Sequence, residues 1–273
     1  MKFRQEVYRY APPQFIHWAK CAVDPVYRGK STELARIRAV PRFHDFRTSI
    51  TGHPITLVDS ASFLWMYHEI FEQQIYKFLT KSRSPYIIDG GSNIGLSVIY
   101  FKQLYPNSKI LAFEADEKIF EVLKSNIESH RYDDVELHCK AIWSSETALS
   151  FMSEGADGGR LSQGNDPKGK LTQTVRLRTY LDRPIDFLKL DIEGAETEVL
   201  EDCADLLGNI DNLFVEYHSF VDAPQTLHRI ATILANSGFR IHIHPQITSP
   251  QPFVQREINA GMDMQLNVFA FRV

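Results

Sequence analysis

Four ionisable residues stand at the ends of two apolar segments in the second half of the chain. Asp191 and Glu193 follow the segment IDFLKL, and Glu216 and His218 lie in the segment NLFVEYHS. The members of each pair are two residues apart, so in a strand their side chains share one face. Histidine titrates near neutral pH and is the natural base for a hydroxyl that must lose its proton. Asp191 or Glu193 would orient that hydroxyl or take the proton instead, and we predict one proton-transfer site from these four side chains.

The same residues leave two other interpretations open. Asp191, Glu193 and His218 could together bind a divalent cation, but the spacing is generic and we expect a site without metal. His218 could also be a hydrogen-bonded structural residue at a strand end, although the adjoining carboxylates favour the catalytic role. Glu196, in the helix that follows, is expected to be a first-turn helix acid rather than a catalyst.

A glycine-rich stretch earlier in the chain predicts where a ligand binds. The segment YIIDGGSNIGLSVIY begins as an apolar strand, turns at Gly90, Gly91 and Gly95, and continues as a helical pattern. Such a turn directs backbone N–H groups and a positive helix end towards a ligand, and missing Cβ atoms permit close approach. The strand–turn–helix unit is therefore the predicted ligand platform.

An acid at the end of the next predicted strand narrows the choice of ligand. Glu114 lies about twenty residues beyond the turn, where an acid can accept hydrogen bonds from ribose hydroxyls. The turn reads DxGxNxG rather than GxGxxG, with Asp89 at the strand end. A carboxylate there repels pyrophosphate but suits an amino group. These residues favour S-adenosylmethionine, which has an ammonium, a sulfonium and no phosphate, over NAD.

Several motifs together resemble one known family. DGGSNIG, AFEAD, AIW and DFLKLDIEGAE look like the FkbM family of class I S-adenosylmethionine-dependent methyltransferases, over residues from about Glu69 to His218. The resemblance implies methyl transfer to a hydroxyl oxygen of a sugar, glycan or other secondary metabolite. Ala115 stands where the family usually has proline, and Ser92 where it usually has alanine.

The resemblance also implies roles for individual residues. The methionine part of the cofactor would lie against the glycine turn, the ribose against Glu114, and the adenine near Ala141 and Ile142. The predicted cofactor-binding residues are Asp89, Gly91, Ser92, Asn93, Gly95, Glu114, Ala141, Ile142 and Asp191. His218 and Arg160 would contact the acceptor, with Arg160 able to clamp an anionic group.

The elements that position these residues alternate between short apolar runs and helices. This alternation is typical of a doubly wound α/β sheet. We predict a Rossmann-like fold with seven mostly parallel strands, an antiparallel last strand and an N-terminal helical extension. Residues 1–80 would form the extension or cap, and residues 81–273 the methyltransferase domain with an inserted loop at 153–173. Residues 135–143 and 174–181 are each predicted as one strand.

Composition limits the other functions. The net charge is -4, which argues weakly against nucleic acid as a partner. No apolar run approaches the roughly 18 residues of a membrane span, and the N-terminal residues lack the apolar core of a signal peptide, so a cytoplasmic protein is expected. Homo-oligomerisation stays open. The alternatives are an NAD-linked oxidoreductase and a non-catalytic nucleotide- or partner-binding module.

Overall fold

The structure is a computed structural model that describes residues 13–153, 159–162 and 169–272. The α-helices are α1 (Pro13–Val23), α2 (Pro25–Arg38), α3 (Ser60–Tyr67), α4 (Leu96–Leu104), α5 (Glu117–His130), α6 (Glu196–Cys203) and α7 (Leu227–Asn236). The strands are β1 (Phe46–Thr48), β2 (Ile55–Leu57), β3 (Tyr86–Gly90), β4 (Lys109–Glu114), β5 (Val135–Cys139), β6 (Ala141–Trp143), β7 (Ala148–Ser153), β8 (Gly159–Ser162), β9 (Lys170–Arg176), β10 (Ile185–Leu190), β11 (Ile210–Phe220), β12 (Arg240–Thr248) and β13 (Met262–Phe271). Among the described residues, no helix is both long and apolar enough to cross a membrane.

A seven-stranded sheet forms the centre of the fold. Its strand order is β12-β13-β11-β10-β3-β4-β5. The ladders that join β11, β10, β3, β4 and β5 are parallel, whereas β13 runs antiparallel to both β11 and β12. The predicted α/β fold with an antiparallel last strand is therefore confirmed. The strand order reverses beside β3, which pairs with β10 on one side and β4 on the other, and ligands bind at such a switch point.

The strands are buried on both faces because their apolar side chains alternate between two cores. Leu188 and Leu190 of β10 join α6 and α7 in one core, and Phe187 of the same strand joins α4 and α5 in the other. Helices therefore cover both faces of the sheet, and the carboxyl ends of the parallel strands open at one edge.

The N-terminal elements pack onto the α4–α5 side of the sheet. Ile37 of α2, Leu57 of the β1–β2 hairpin and Phe63 of α3 are fully buried in that core. Asn126 of α5 joins them to it, because its side chain accepts from Thr56 N at 2.7 Å and donates to Thr56 O and Ile94 O at 2.9 Å each. Residues 1–12 lie outside the described part.

Three predicted elements differ from the observed ones. The predicted strand 135–143 divides at Lys140: β5 stays in the main sheet, while β6 pairs in parallel with β9 in a second sheet of order β6-β9-β7-β8. The predicted strand 174–181 ends at Arg176 and continues as a 3₁₀ helix, Leu177–Tyr180. Part of the predicted loop 153–173 is strand β8, which pairs antiparallel with β7. The bounds of all three elements depend on pairing with strands that are distant in the sequence. A short sequence window carries no information on such pairing.

Candidate active site

The carboxyl ends of β3, β4, β10 and β11 open into one cavity of about 730 Å³. This volume falls in the range of small-molecule sites. Most predicted site residues line it: Gly91, Ser92, Asn93, Glu114, Ala141, Ile142, Asp191, Glu193, Glu216 and His218. Asp89 and Gly95 are not among the lining residues, and the side chain of Arg160 lies outside the described part.

The turn after β3 is pressed against the end of β10. Gly91 has φ of +79°, and a Cβ at this position would lie 1.8 Å from the carbonyl oxygen of Asp191. Only glycine satisfies both the left-handed backbone and this contact. Gly95 also has positive φ, and its missing Cβ makes room for Leu123 of α5. A Cβ at Gly95 would lie 2.8 Å from Leu123 Cδ1. Gly91 therefore joins the two halves of the site, and Gly95 serves the packing of α4 on α5.

Asp89 faces the interior of the protein rather than the cavity. Its carboxylate is fully buried, accepts a hydrogen bond from Ser97 Oγ and lies 3.5 Å from Lys189 Nζ. The sequence analysis expected this carboxylate to meet a ligand ammonium. In the structure the ammonium beside it belongs to the protein itself.

Lys189 is a central residue that the sequence analysis did not single out. It is 2% exposed, and its Nζ donates to Gly91 O at 2.7 Å and to Asp191 Oδ2 at 3.0 Å. Burial alone would lower the pKa of Lys189, but the carboxylates of Asp191 and Asp89 raise it above the ordinary value. The sequence does contain a sign of this role, a lysine within the apolar run IDFLKL. A lysine is almost never fully buried without a partner, so its position in a buried strand predicts a nearby carboxylate.

Glu114 is held by the backbone on both sides. Its Oε2 accepts from Asn93 N at 2.9 Å and its Oε1 accepts from Asp116 N at 2.8 Å. Burial raises the pKa of Glu114 to about 7, although both backbone bonds act in the opposite direction. Each oxygen can accept a further hydrogen bond, so the carboxyl group is a preformed receptor for hydroxyls.

His218 lies among carboxylates at the end of β11. Its Nδ1 is 3.1 Å from Glu196 Oε1, and its Nε2 is 3.5 Å from Glu193 Oε2 and 3.9 Å from Asp191 Oδ1. Burial alone would lower the pKa of His218, but Glu193 and Glu196 raise it well above the usual value. The expectation of a near-neutral pKa is therefore wrong, because the surrounding carboxylates stabilise the imidazolium.

Glu196 has a structural role that its position at the start of α6 only partly reveals. Its Oε1 accepts from the backbone N–H groups of Ile192 and Gly194, at 3.1 Å each, and faces His218 Nδ1. These bonds close the turn after β10, where Glu193 and Gly194 both have positive φ. A first-turn helix acid thus fixes the imidazole and the turn that carries Glu193.

The pKa values of the neighbours Asp191 and Glu216 are shifted in opposite directions. Burial and the Asp191 charge raise the pKa of Glu216 well above its usual range. Burial would also raise the pKa of Asp191, but Lys189 and His218 lower it overall. A proton on this pair is therefore favoured at Glu216 over Asp191, and Glu216 Oε1 accepts a hydrogen bond from Gln265 Nε2 at 2.6 Å.

A further acid enters the cavity from the N-terminal part of the chain. Glu69 lies on the π-helix His68–Gln73, which follows α3, and it lines the cavity. Burial raises the pKa of Glu69 to about 7, and Asn267 Nδ2 lies 3.4 Å from its carboxylate. Glu69 is not among the site residues predicted from the sequence.

Three of the side chains could also surround a cation. Ligand atoms of Asp191, Glu193 and His218 all lie within 4.8 Å of one another. Two features oppose metal binding: Lys189 already contacts Asp191, and a proton on His218 competes for Nε2. The geometry permits a metal without requiring one.

A family profile and two curated relatives all identify the chain as similar to methyltransferases. A family profile described as "Methyltransferase FkbM domain" matches residues 89–241, more than half of the chain. The chain is 27% identical over 237 residues to "Methyltransferase 1" of Beauveria bassiana (strain ARSEF 2860), an alignment covering 77% of this chain and 92% of the relative. It is 31% identical over 175 residues to "Methyltransferase sdnD" of Sordaria araneosa, covering 50% of this chain and 67% of that protein.

Two solved structures superpose on parts of the chain with TM-scores below 0.5. The methyltransferase FkbM from Methylobacillus flagellatus KT superposes with a TM-score of 0.48 at 13% identity. That match covers 78% of this chain but only 53% of the other, so the chain spans about half of its length. M. jannaschii TYW2 in complex with AdoMet superposes with a TM-score of 0.47 at 14% identity, covering 86% of this chain and 89% of that one.

Proposed function

Since the chain belongs to the FkbM methyltransferase domain family, we propose that it moves a methyl group from S-adenosylmethionine to a hydroxyl oxygen of a sugar, glycan or other secondary metabolite. One observation carries this proposal. A single cavity joins the turn after β3 and Glu114 to the acids and the histidine at the ends of β10 and β11. A donor site and a proton-accepting site therefore share one enclosed space.

The donor side fits an adenosyl ligand with a cationic sulfur. Glu114 offers two carboxyl oxygens to ribose hydroxyls, and Ala141 and Ile142 provide an apolar surface for adenine beside it. Gly91 allows the methionine part to approach the turn, and Asp191 supplies negative charge nearby. When bound, S-adenosylmethionine would supply an electrophilic methyl group at its sulfonium.

The same surface does not suit a pyrophosphate. Among the side chains that the structure describes, which do not include that of Arg160, Lys140 and Lys189 are the only lysine or arginine side chains that line the cavity, against seven Asp and Glu side chains. Lys189 already bonds Gly91 O and Asp191 Oδ2. Pyrophosphate recognition relies on free donors and positive charge, so this charge balance disfavours an NAD-linked oxidoreductase.

The acceptor hydroxyl must lose its proton as the new C–O bond forms, and His218 is the proposed proton acceptor. Glu196 fixes its Nδ1, which leaves Nε2 directed towards Glu193 and Asp191. Because the pKa of His218 is raised, a small fraction of the side chain is neutral at pH 7. The same shift makes the neutral imidazole a stronger base. Bringing a sulfonium into the cavity adds positive charge, which lowers the pKa of His218 towards the working range.

Calorimetric titration of the full chain tests the donor assignment. S-adenosylmethionine and S-adenosylhomocysteine should release heat with a one-to-one stoichiometry, and NAD should not. No heat with either adenosyl ligand would exclude the methyltransferase function. A panel of sugars, glycosides and other hydroxyl metabolites then tests methyl transfer, with and without EDTA; equal turnover in both is expected of a site without metal.

A further inference from the structure

We propose that the methyl acceptor is an uncharged molecule whose apolar body lies against Trp65, Phe220, Val221, Ile247 and Met262. This inference rests on the proposed function and names the acceptor class for the same cavity. It excludes acceptors whose binding depends on a phosphate, carboxylate or nucleotide diphosphate beside the reacting hydroxyl.

The walls of the cavity divide into a donor side and an acceptor side. The donor side is the turn after β3 with the end of β4 and with Ala141 and Ile142 of β6. The remaining walls come from α3 and the π-helix, the β7–β8 hairpin, the end of β11, the end of β12 and the start of β13. These walls adjoin His218 and Glu216, where the hydroxyl must lie, so the acceptor contacts them.

The acceptor side presents apolar side chains at its mouth. Trp65 and Val221 line the cavity and are 53% and 54% exposed, although both are large apolar residues. Phe220, Ile247 and Met262 also line the cavity and are less exposed. Exposed apolar groups clustered at a cavity gain free energy when a ligand removes them from water. An apolar ligand body is therefore the matching occupant.

The charge of the acceptor side opposes an anion. Glu69, Glu193 and Asp222 line these walls, and among the side chains that the structure describes, which do not include that of Arg160, Lys189 is the one lysine or arginine there. Lys189 is enclosed by Asp89, Asp191 and two backbone carbonyl groups, and His218 by Glu193 and Glu196. An acceptor anion would meet negative charge without a free cation to pair with.

Four probes test charge and apolarity separately on the full chain saturated with S-adenosylhomocysteine. They are naphthalene-2,6-dimethanol, 6-(hydroxymethyl)-2-naphthoate, glucose and glucose 6-phosphate, each titrated by calorimetry. The neutral naphthalene should bind at least about tenfold more tightly than its carboxylate analogue and than either sugar. Equal or tighter binding of an anionic probe, or no binding of the neutral naphthalene, would overturn the inference.

Variants at the cavity mouth show whether binding occurs where we propose. Trp65→Ala should weaken the neutral naphthalene about tenfold, and Val221→Ser several-fold, with affinity for S-adenosylhomocysteine unchanged. Leu79→Ala is the matched control, because Leu79 is 94% exposed and does not line the cavity. Unchanged naphthalene affinity in Trp65→Ala would contradict the proposed contact.

Two results separate this inference from the proposed function. Loss of all binding of S-adenosylhomocysteine by the wild-type chain would remove the donor assignment and the function with it. Intact S-adenosylhomocysteine binding with a preference for glucose 6-phosphate, lost in Arg160→Ala, would retain the function and replace the apolar acceptor by one clamped through Arg160.

Discussion

Lys189 shows how one residue joins the donor and acceptor halves of the site. It bonds the carbonyl of Gly91 on the turn after β3 and the carboxylate of Asp191 at the end of β10. Removing its charge would leave Asp89 and Asp191 as unpaired carboxylates in a buried site, which is among the costliest single changes in a protein. We infer that Lys189 positions the turn and holds Asp191 ionised.

Glu114 gives the first prediction at this scale. Glu114→Gln should weaken S-adenosylmethionine binding about tenfold, because one of two carboxyl oxygens that can accept from ribose is replaced by a donor. Calorimetric titration measures the change. Glu117→Ala, an exposed acid three residues further on that does not line the cavity, serves as the control. Wild-type affinity in Glu114→Gln would remove the ribose assignment.

His218 gives the second prediction. Turnover should rise with pH beyond pH 7, because a base must be deprotonated and the pKa of His218 lies above its usual value. His218→Gln should lower turnover at least about 100-fold and leave donor affinity within about threefold. The measurement is initial methyl-transfer rate from pH 6 to 10, with donor affinity determined separately.

Glu69 provides the matched comparison for that experiment. Its pKa of about 7 would place the rise in turnover near neutral pH if it were the base. A limb centred near pH 7 that disappears in Glu69→Gln, with turnover retained in His218→Gln, would move the base role from His218 to Glu69.

Residue types and strand ends were enough to predict which side chains come together. Asp191 and Glu193 follow β10, and Glu216 and His218 lie towards the carboxyl end of the adjacent β11, so the fold class alone brings them to one cavity. The protonation states were not predictable in the same way. The high pKa of His218 depends on Glu196, whose position beside it follows from the turn geometry after β10 rather than from sequence spacing.

At the scale of elements, the close contact between two turns decides whether the site forms. Gly91→Ala should abolish measurable binding of S-adenosylhomocysteine and lower the melting temperature, because the new Cβ would overlap the Asp191 carbonyl oxygen and the backbone is left-handed. Gly208→Ala is the control, since a Cβ there meets nothing within 4 Å. Thermal unfolding and titration of both variants test this; near-normal binding by Gly91→Ala would contradict the geometry.

Local sequence patterns predicted the helices and strands that bury apolar faces. They missed the elements whose bounds depend on pairing with another strand. The strands β3 and β10 are visible in the sequence as short apolar runs. The helices are visible because their apolar residues recur with the helical period. The break at Lys140 and the strand β8 depend on pairing with β9 and β7, which are brought together only by the tertiary fold.

At the scale of the whole molecule, the N-terminal segment supplies part of the cavity and part of the core. Trp65 and Glu69 reach the cavity, and Ile37, Leu57 and Phe63 are buried against the sheet's helices. We propose that residues 13–80, the described part of this segment, act as a cap whose packing is inseparable from the shape of the acceptor side.

Asn126 tests that coupling. Asn126→Ala should lower the free energy of unfolding by about 2–4 kcal/mol, because three buried hydrogen bonds to Thr56 and Ile94 are lost. Asn236→Ala, at an exposed position on α7, should change it by less than about 0.5 kcal/mol. Urea unfolding measures both; equal stabilities would show that the hairpin β1–β2 is not energetically coupled to α5.

The surplus of carboxylates around the cavity has a consequence for turnover. Methyl transfer converts a sulfonium into a neutral thioether, so the spent donor leaves with one positive charge fewer than the incoming one. Even with Glu216 protonated, the lining acids outnumber Lys140, Lys189 and protonated His218, so the cavity should hold fresh donor more tightly than spent donor. We expect S-adenosylmethionine to bind at least about threefold more tightly than S-adenosylhomocysteine in paired titrations at low ionic strength, with a smaller ratio as salt is added. Weaker electrostatic attraction of the product, without movement of a lid, would then favour product release.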